Sequence, residues 1–260
     1  GLSHSCAITI ERDLQCWGGN SSGQLGLGDT ANRGDGAGEM GSALQTVDLG
    51  AGSYVVQVAI GHSHTCALLD NGNVKCWGDN SKGALGRNNM THIGDGASEM
   101  GSSLAAIDLG TGRRALQIGA GDRFSCALLD NGAVKCWGYN GYGQLGDTTT
   151  TNRNVPTSVS TLSSGVQSIS VGWEHSCAVL TSGAAKCWGR NNEGEVGDGT
   201  NTNRSTPVAV VGLLSGVTSI EANQSLSTCA LVVGSNVKCW GHNGQGQLGD
   251  GTTTNRNTPV

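Results

Sequence analysis

The chain of 260 residues carries 20 acidic against 15 basic side chains, a net charge of −5, only 13% charged residues and 44 glycines. That charge has the wrong sign for a phosphate-gripping surface, and no polybasic run exists, so a nucleic-acid partner is not expected. The apolar share of 36% fits a thin core spread over many short elements, and the longest apolar stretch, around residues 207–214, is too short to cross a bilayer.

From the N-terminus, Ser5-Cys6 to Gly18 is the first of five related segments; the others run Thr65-Cys66 to Gly78, Ser125-Cys126 to Gly138, Ser176-Cys177 to Gly189 and Thr228-Cys229 to Gly241. Two apolar runs flank a tight turn, most clearly at Asp70-Asn71-Gly72, where Asn and Gly tolerate the positive φ that hairpins need. With the loop centred on Asn71, Leu69 faces Asn73, Ala67 faces Lys75 and Cys66 falls opposite Cys76. Opposed cross-strand Cβ atoms lie about 4.5–5.5 Å apart, near the spacing a disulfide accepts. The ten cysteines therefore read as five hairpin staples: Cys6–Cys16, Cys66–Cys76, Cys126–Cys136, Cys177–Cys187 and Cys229–Cys239. They lack the C-x-x-C knuckles of a zinc site. Disulfides persist in oxidising compartments, which points to the extracellular space or the cell surface.

The Cys-Trp-Gly triplets begin at 16, 76, 136, 187 and 239, in steps of 60, 60, 51 and 52. The units run approximately 1–50, 51–110, 111–161, 162–212 and 213–260. A further strand precedes each later hairpin: Val55–Ile60, Ala115–Ile118, Val166–Val171 and Val217–Ile220. After each hairpin comes Asn-x-x-Gly-x-(Leu/Val)-Gly, a compact turn with a buried aliphatic plug. Units one and two then carry an insertion, Gly34–Gln45 echoed by Gly94–Ala105, in which Ala37–Leu44 is expected to form a short helical turn capped by acidic side chains. The later units instead have a Thr/Asn-rich loop leading to a Pro-containing strand at Pro156, Pro207 or Pro259, and Pro suits an outer edge. Each unit is thus expected to supply four short strands.

Four-stranded repeats of 50–60 residues describe an all-β fold, a β-propeller of antiparallel blades, with five units visible. The combination of Trp-Gly-x-Asn-x-x-Gly-Gln-Leu-Gly with His-(Ser/Thr)-Cys-Ala-Leu and Gly-x-Val-Lys-Cys-Trp-Gly resembles the regulator-of-chromosome-condensation repeat along essentially the whole chain. Its cysteine-bearing form is similar to secreted or surface members of that family. The resemblance implies seven blades in a closed ring, so five units beginning and ending within a repeat are expected either to belong to a longer ring or to be completed by a neighbouring chain.

Candidate chemistry is sparse. His62 and His64 alternate and would share a face if both lay on one strand, but the position of His64 is Phe124 in unit three and Ser227 in unit five. A hydrogen-bonded packing role is therefore expected rather than metal ligation. Asp29, Asp147, Asp198 and Asp250, with Asp35, Glu39, Asp95 and Glu99, lack the Asp-x-Asp-x-Asp spacing of a calcium loop and read first as turn formers, so no cofactor is expected, with Ca²⁺ at these carboxylates left open as the alternative. No nucleophile elbow, P-loop or His-Glu-x-x-His occurs. Five tryptophans occupy one repeat position and read as packing between blades. Trp173 is out of register and, with Tyr139 and Tyr142, makes a candidate contact patch. Asn20, Asn89, Asn203 and Asn223 stand in glycosylation acceptor patterns.

The function expected is a non-enzymatic extracellular or cell-surface interaction module. It would bind a protein partner, or itself, through loops and open propeller ends, without nucleic acid or membrane insertion. The alternatives are a subunit of a self-assembling fibre or surface array, and a secreted glycan-active enzyme or an inhibitor of one.

Overall fold

A computed structural model describes residues 1–260 and contains five antiparallel sheets, one per repeat. Unit one holds β1 (His4–Ile8) and β2 (Leu14–Gly18); unit two holds β3 (Val55–Ile60), β4 (His64–Leu69) and β5 (Val74–Gly78). Unit three holds β6 (Ala115–Ala120), β7 (Phe124–Leu129), β8 (Val134–Gly138) and β9 (Arg153–Ser158). Unit four holds β10 (Val166–Val171), β11 (His175–Leu180), β12 (Ala185–Gly189) and β13 (Arg204–Ala209), and unit five β14 (Val217–Ala222), β15 (Ser227–Val232) and β16 (Asn236–Gly241). Strand order within each sheet follows the sequence. The sheets are propeller blades, and β3, β6, β10 and β14 pack side by side as the innermost strands around the axis.

The hairpin register is the one the turn dictates: Cys66 pairs with Cys76, Ala67 with Lys75 and Leu68 with Val74. All five cysteine pairs occupy this register and are bonded, each across a sequence separation of 10. Four complete strands form only in units three and four. Elsewhere the outer strand shrinks to isolated bridges, Gly18 with Arg33, Gly78 with Ile93 and Gly241 with Arg256. In units one and two the insertion leads the chain away before a ladder can grow. The proline-bearing strands β9 and β13 are outermost, where a missing N–H is harmless. The helical turn expected over Ala37–Leu44 is only the 3₁₀ turn Gly41–Ala43, with no side-chain cap. The acid of that loop works differently: Glu39 accepts hydrogen bonds from the Gly34 and Gly36 amides at 2.8 and 2.9 Å.

The core is partitioned into four clusters, each lying between two consecutive blades. Each cluster contains the tryptophan of the later blade, and those tryptophans are fully buried. The indole of Trp77 donates to the Gln24 carbonyl at 3.0 Å, Trp137 to Ala84, Trp188 to Gln144 and Trp240 to Glu195. Glycine is required where the indole sits: a Cβ on Gly146 would stand 2.8 Å from Trp188 Nε1. The inner strands are linked by side chains standing in for a ladder. Gln57 both donates to the Ile118 carbonyl and accepts from its amide, and Gln117 does the same at Ile169. A bulge at each of these glutamines turns the side chain towards the next blade.

Candidate protein-interaction face

The turn after each inner strand and the loop after each third strand emerge at the same end of the blade, because the intervening strand runs the opposite way. The inner turns are 61–63, 121–123 and 172–174; the outer loops begin at Asp79, Tyr139 and Arg190. Backbone bonds tie the inner turns head to tail: the His62 amide donates to the Asp122 carbonyl (3.1 Å) and the Asp122 amide to Trp173 (2.8 Å). Others tie the outer loops to them, Asp79 to Ser63, Tyr139 to Arg123 and Arg190 to Glu174. Glycine permits this close approach, since a Cβ on Gly121 would stand 2.6 Å from the Gly172 carbonyl oxygen. The result is a rigid platform whose side chains differ from blade to blade.

On it His62 Nδ1 lies 2.9 Å from Asp122 Oδ1, and Arg123 Nε lies 3.7 Å from Asp122 Oδ2. The His62 ring packs against Trp173 at 5.4 Å between centroids. Tyr139 and Tyr142 meet edge to face at 6.2 Å. Arg190 sits between two carboxylates, 3.6 Å from Glu174 and 3.7 Å from the fully buried Glu195. Arg190 Nε and Glu195 Oε1 have no hydrogen-bond partner, so the attraction is purely electrostatic. Burial raises both glutamates above the usual carboxylate range against the pull of Arg190. Burial, then the charges of Tyr142 and Glu174, raise the Tyr139 phenol. This concentration of half-buried aromatics and paired charges is the composition of a protein-binding hot spot.

The expected patch residues Tyr139, Tyr142 and Trp173 all lie on this face and all are half-buried, but Trp173 pairs with His62 rather than with a tyrosine. Sequence reading missed Asp122, Arg123, Glu174 and Arg190. For three of them the signal was available: Asp122 and Arg123 follow Gly121 and Glu174 follows Gly172-Trp173, at the variable positions of an otherwise constant turn. His62 precedes β4 and does not share a strand face with His64. His64 Nε2 instead bonds the Ser125 hydroxyl of the next blade at 2.9 Å, as His4 bonds Thr65 and His175 bonds Thr228. Those hydroxyls spend their own protons on carbonyls, Ser125 on Ala84 for example, so Nε2 carries the imidazole proton. The packing role expected for His64 is the one it has.

Asn20 is corrected as a glycan acceptor. It is fully buried, and its Nδ2 donates to the Asp29 carbonyl and carboxylate and to the Ala31 carbonyl, so no sugar fits in the folded chain. Asn89, Asn203 and Asn223 are exposed. The loop aspartates spend their carboxylates on protein donors: Asp147 accepts from Arg153 Nε at 2.7 Å and from Thr149 and Asn140. Burial works against its ionisation, yet the Thr149 and Arg153 bonds hold its carboxyl below the usual range.

Among known proteins, the family described as RCC1-like domain matches residues 1–260. The ultraviolet-B receptor UVR8 of Arabidopsis thaliana is 31% identical over 268 residues, covering 100% of this chain and 56% of that protein. The E3 ubiquitin-protein ligase HERC2 of Homo sapiens is 35% identical over 216 residues, 82% of this chain and 4% of that protein. The chain thus spans about half the length of the first relative and a small part of the second. Two solved structures share the fold. Human WBSCR16 has a TM-score of 0.80 at 23% identity, over 99% of this chain and 64% of that one. Yeast RCC1 (Prp20), solved bound to Kap60, has a TM-score of 0.77 at 20% identity, over 100% and 59%.

Proposed function

This chain belongs to the RCC1-like domain family, and from that premise we propose that it is a non-catalytic, extracellular or cell-surface protein-interaction module whose partner docks on the axial face. The observation that carries the reading is the rigid platform itself, with Trp173, Tyr139 and Tyr142 set among Asp122, Arg123, Glu174 and Arg190. A family member supports it by precedent: yeast RCC1 was solved with the protein Kap60. The oxidising compartment is supported by the five hairpin disulfides and the lack of any free cysteine. Asn89, Asn203 and Asn223 are the proposed glycan positions, and no cofactor is proposed.

The test is affinity capture from the secretions and surface extract of the source organism, with three baits compared side by side. The wild-type chain and a control altered at the opposite end (Asn131→Ala) are expected to retain the same protein. The face variant Arg123→Glu/Trp173→Ala is expected to lose it. A captured set that the face variant leaves unchanged removes the axial face from consideration.

A further inference from the structure

The junction between units one and two and the junction between units two and three are built alike, but they differ in charge. In the first, the ammonium of Lys75 is spent on main-chain acceptors: Nζ donates to the Leu49 carbonyl at 2.7 Å and to the Gly101 carbonyl at 3.1 Å. The preceding residue, Met100, lays its methyl against Gly26 beside Trp77 and Val47. The unit-two insertion thus offers an apolar side chain followed by a carbonyl, and the lysine takes the carbonyl. A cavity of about 290 Å³ remains beside Met100; its wall, which includes Leu27, Thr46, Asp48 and Ala97, holds one acid and no basic side chain.

The junction between units two and three holds a cavity of about 460 Å³, within the size range of ligand sites. Part of its wall repeats the first: Gly86, Ile107, Asp108 and Lys135 stand sixty positions after Gly26, Val47, Asp48 and Lys75. Two features are different. Unit three has the short outer connection, so Val155 and Pro156 form the far wall and no insertion reaches Lys135. Lys135 Nζ stands 3.4 Å from where a Cβ on Gly110 would lie, and it forms no hydrogen bond or ion pair within the chain.

The second difference is Arg87, which occupies the position of Leu27. Its guanidinium is held by one bond, from Nη1 to the Ala105 carbonyl at 2.9 Å, and pairs with no carboxylate. Its Nε is buried without an acceptor. The one acid in the wall, Asp108, accepts the Gly110 amide at 2.8 Å. The charge of Arg87 reaches as far as Lys75, whose ammonium pKa is lowered by burial first, with Asp48 opposing and Arg87 adding to the shift.

Two cations without carboxylate partners, set beside the apolar Ala106, Ile107, Val155 and Pro156, suit an anion carried on an apolar body. We infer that this cavity takes the free C-terminal carboxylate of a partner polypeptide that ends in or next to an aliphatic side chain. The carboxylate lies between Lys135 and Arg87, and the aliphatic group rests on Ile107 and Pro156. Met100-Gly101 is the internal counterpart, with the same lysine position and the same order of apolar side chain and then acceptor. A neutral carbonyl meets Leu27 in one junction, and a charged carboxylate meets Arg87 in the other. The cavity lies between two internal units, and the inference is independent of the axial-face reading.

Fluorescence polarisation on the 260-residue chain tests it with three labelled peptides: Ser-Ser-Met-Gly as the free acid, the same peptide as its C-terminal amide, and amidated Ser-Ser-Met-Glu, whose carboxylate is on a side chain. The free acid is expected to bind at least about tenfold more tightly than the amide, and to weaken as salt is raised. Lys135→Met and Arg87→Leu are each expected to abolish that preference. Lys186→Met, at the same strand position one unit on, is expected to keep it, as is the axial-face variant Arg123→Glu/Trp173→Ala. Melting temperatures check that each variant folds, and Arg87→Gln replaces Arg87→Leu if the latter does not. A wild type that ignores the free acid, or binds acid and amide equally, overturns the inference. So does a preference that survives both cavity variants, or a glutamate peptide that binds as tightly as the free acid.

Discussion

At the residue scale, the buried histidines carry an acid-sensitivity into the blade contacts. His64 and His175 are held down to about 4 chiefly by burial, and His4 to about 3 by burial and then the N-terminal charge. An unfolded imidazole takes up its proton near pH 6.5 while these do not, so the unfolded state binds more protons between about pH 6.5 and 4. Stability is therefore complete above that window and falls as the pH drops through it, by about 1.4 kcal/mol per pH unit for each such histidine. Glu174 and Glu195, raised by burial, act with the opposite sign, gaining stability as they protonate. The chain itself supplies the neutral replacement, since Phe124 fills the same repeat position and is fully buried. His64→Phe is expected to lower stability modestly at pH 7.5 through the lost bond to Ser125, and to flatten the loss between pH 6.5 and 4. Urea unfolding at both pH values measures it; an unchanged slope would show that His64 does not titrate on unfolding.

At the element scale, the hairpin was legible in the sequence because pairing has a period of two and the turn residues fix the register. A one-residue slip would have separated Cys66 from Cys76, and the same separation of 10 holds at every staple. The outer strands were less legible. Their pairing depends on whether the connection after Gly78 or Gly138 returns along the blade edge, and that is decided by loop length rather than by any residue in the strand. The capped turn expected at Ala37–Leu44 failed for a local reason: the Glu39 carboxylate satisfies the Gly34 and Gly36 amides upstream of the 3₁₀ turn. Each disulfide closes a short loop and contributes about 2–3 kcal/mol through the entropy of the unfolded chain. The double change Cys126→Ser/Cys136→Ser is expected to lower stability by about that amount and to leave the other four bridges formed. Denaturant unfolding under non-reducing conditions, with thiol counting before and after reduction, reads both quantities.

At the scale of the whole molecule, the blades form a chain of neighbours in which each buries the flank of the one before, so stability resembles a sum of unit and junction terms. This explains why the axial face was hard to read from sequence. Its residues come from separate units and meet only because the turns are linked around the axis, whereas Trp77, Trp137, Trp188 and Trp240 announce themselves by position. The same logic makes one repeat position carry opposite consequences in different units. Val74 and Val134 are buried beneath the following blade at 0% and 1% exposure, while Val237, their counterpart in unit five, is 64% exposed with Val233 beside it at 67%. Val134→Lys would place an unpaired charge in a closed junction and is expected to lower stability by several kcal/mol. Val237→Lys removes no burial and is expected to change stability by less than about 0.5 kcal/mol. Measured together by urea unfolding, the two substitutions separate packing between blades from intrinsic strand preference, since both place the same side chain in the same strand position. Equal losses at the two sites would mean that the valine acts within its own blade, and the picture of stability built junction by junction would fail.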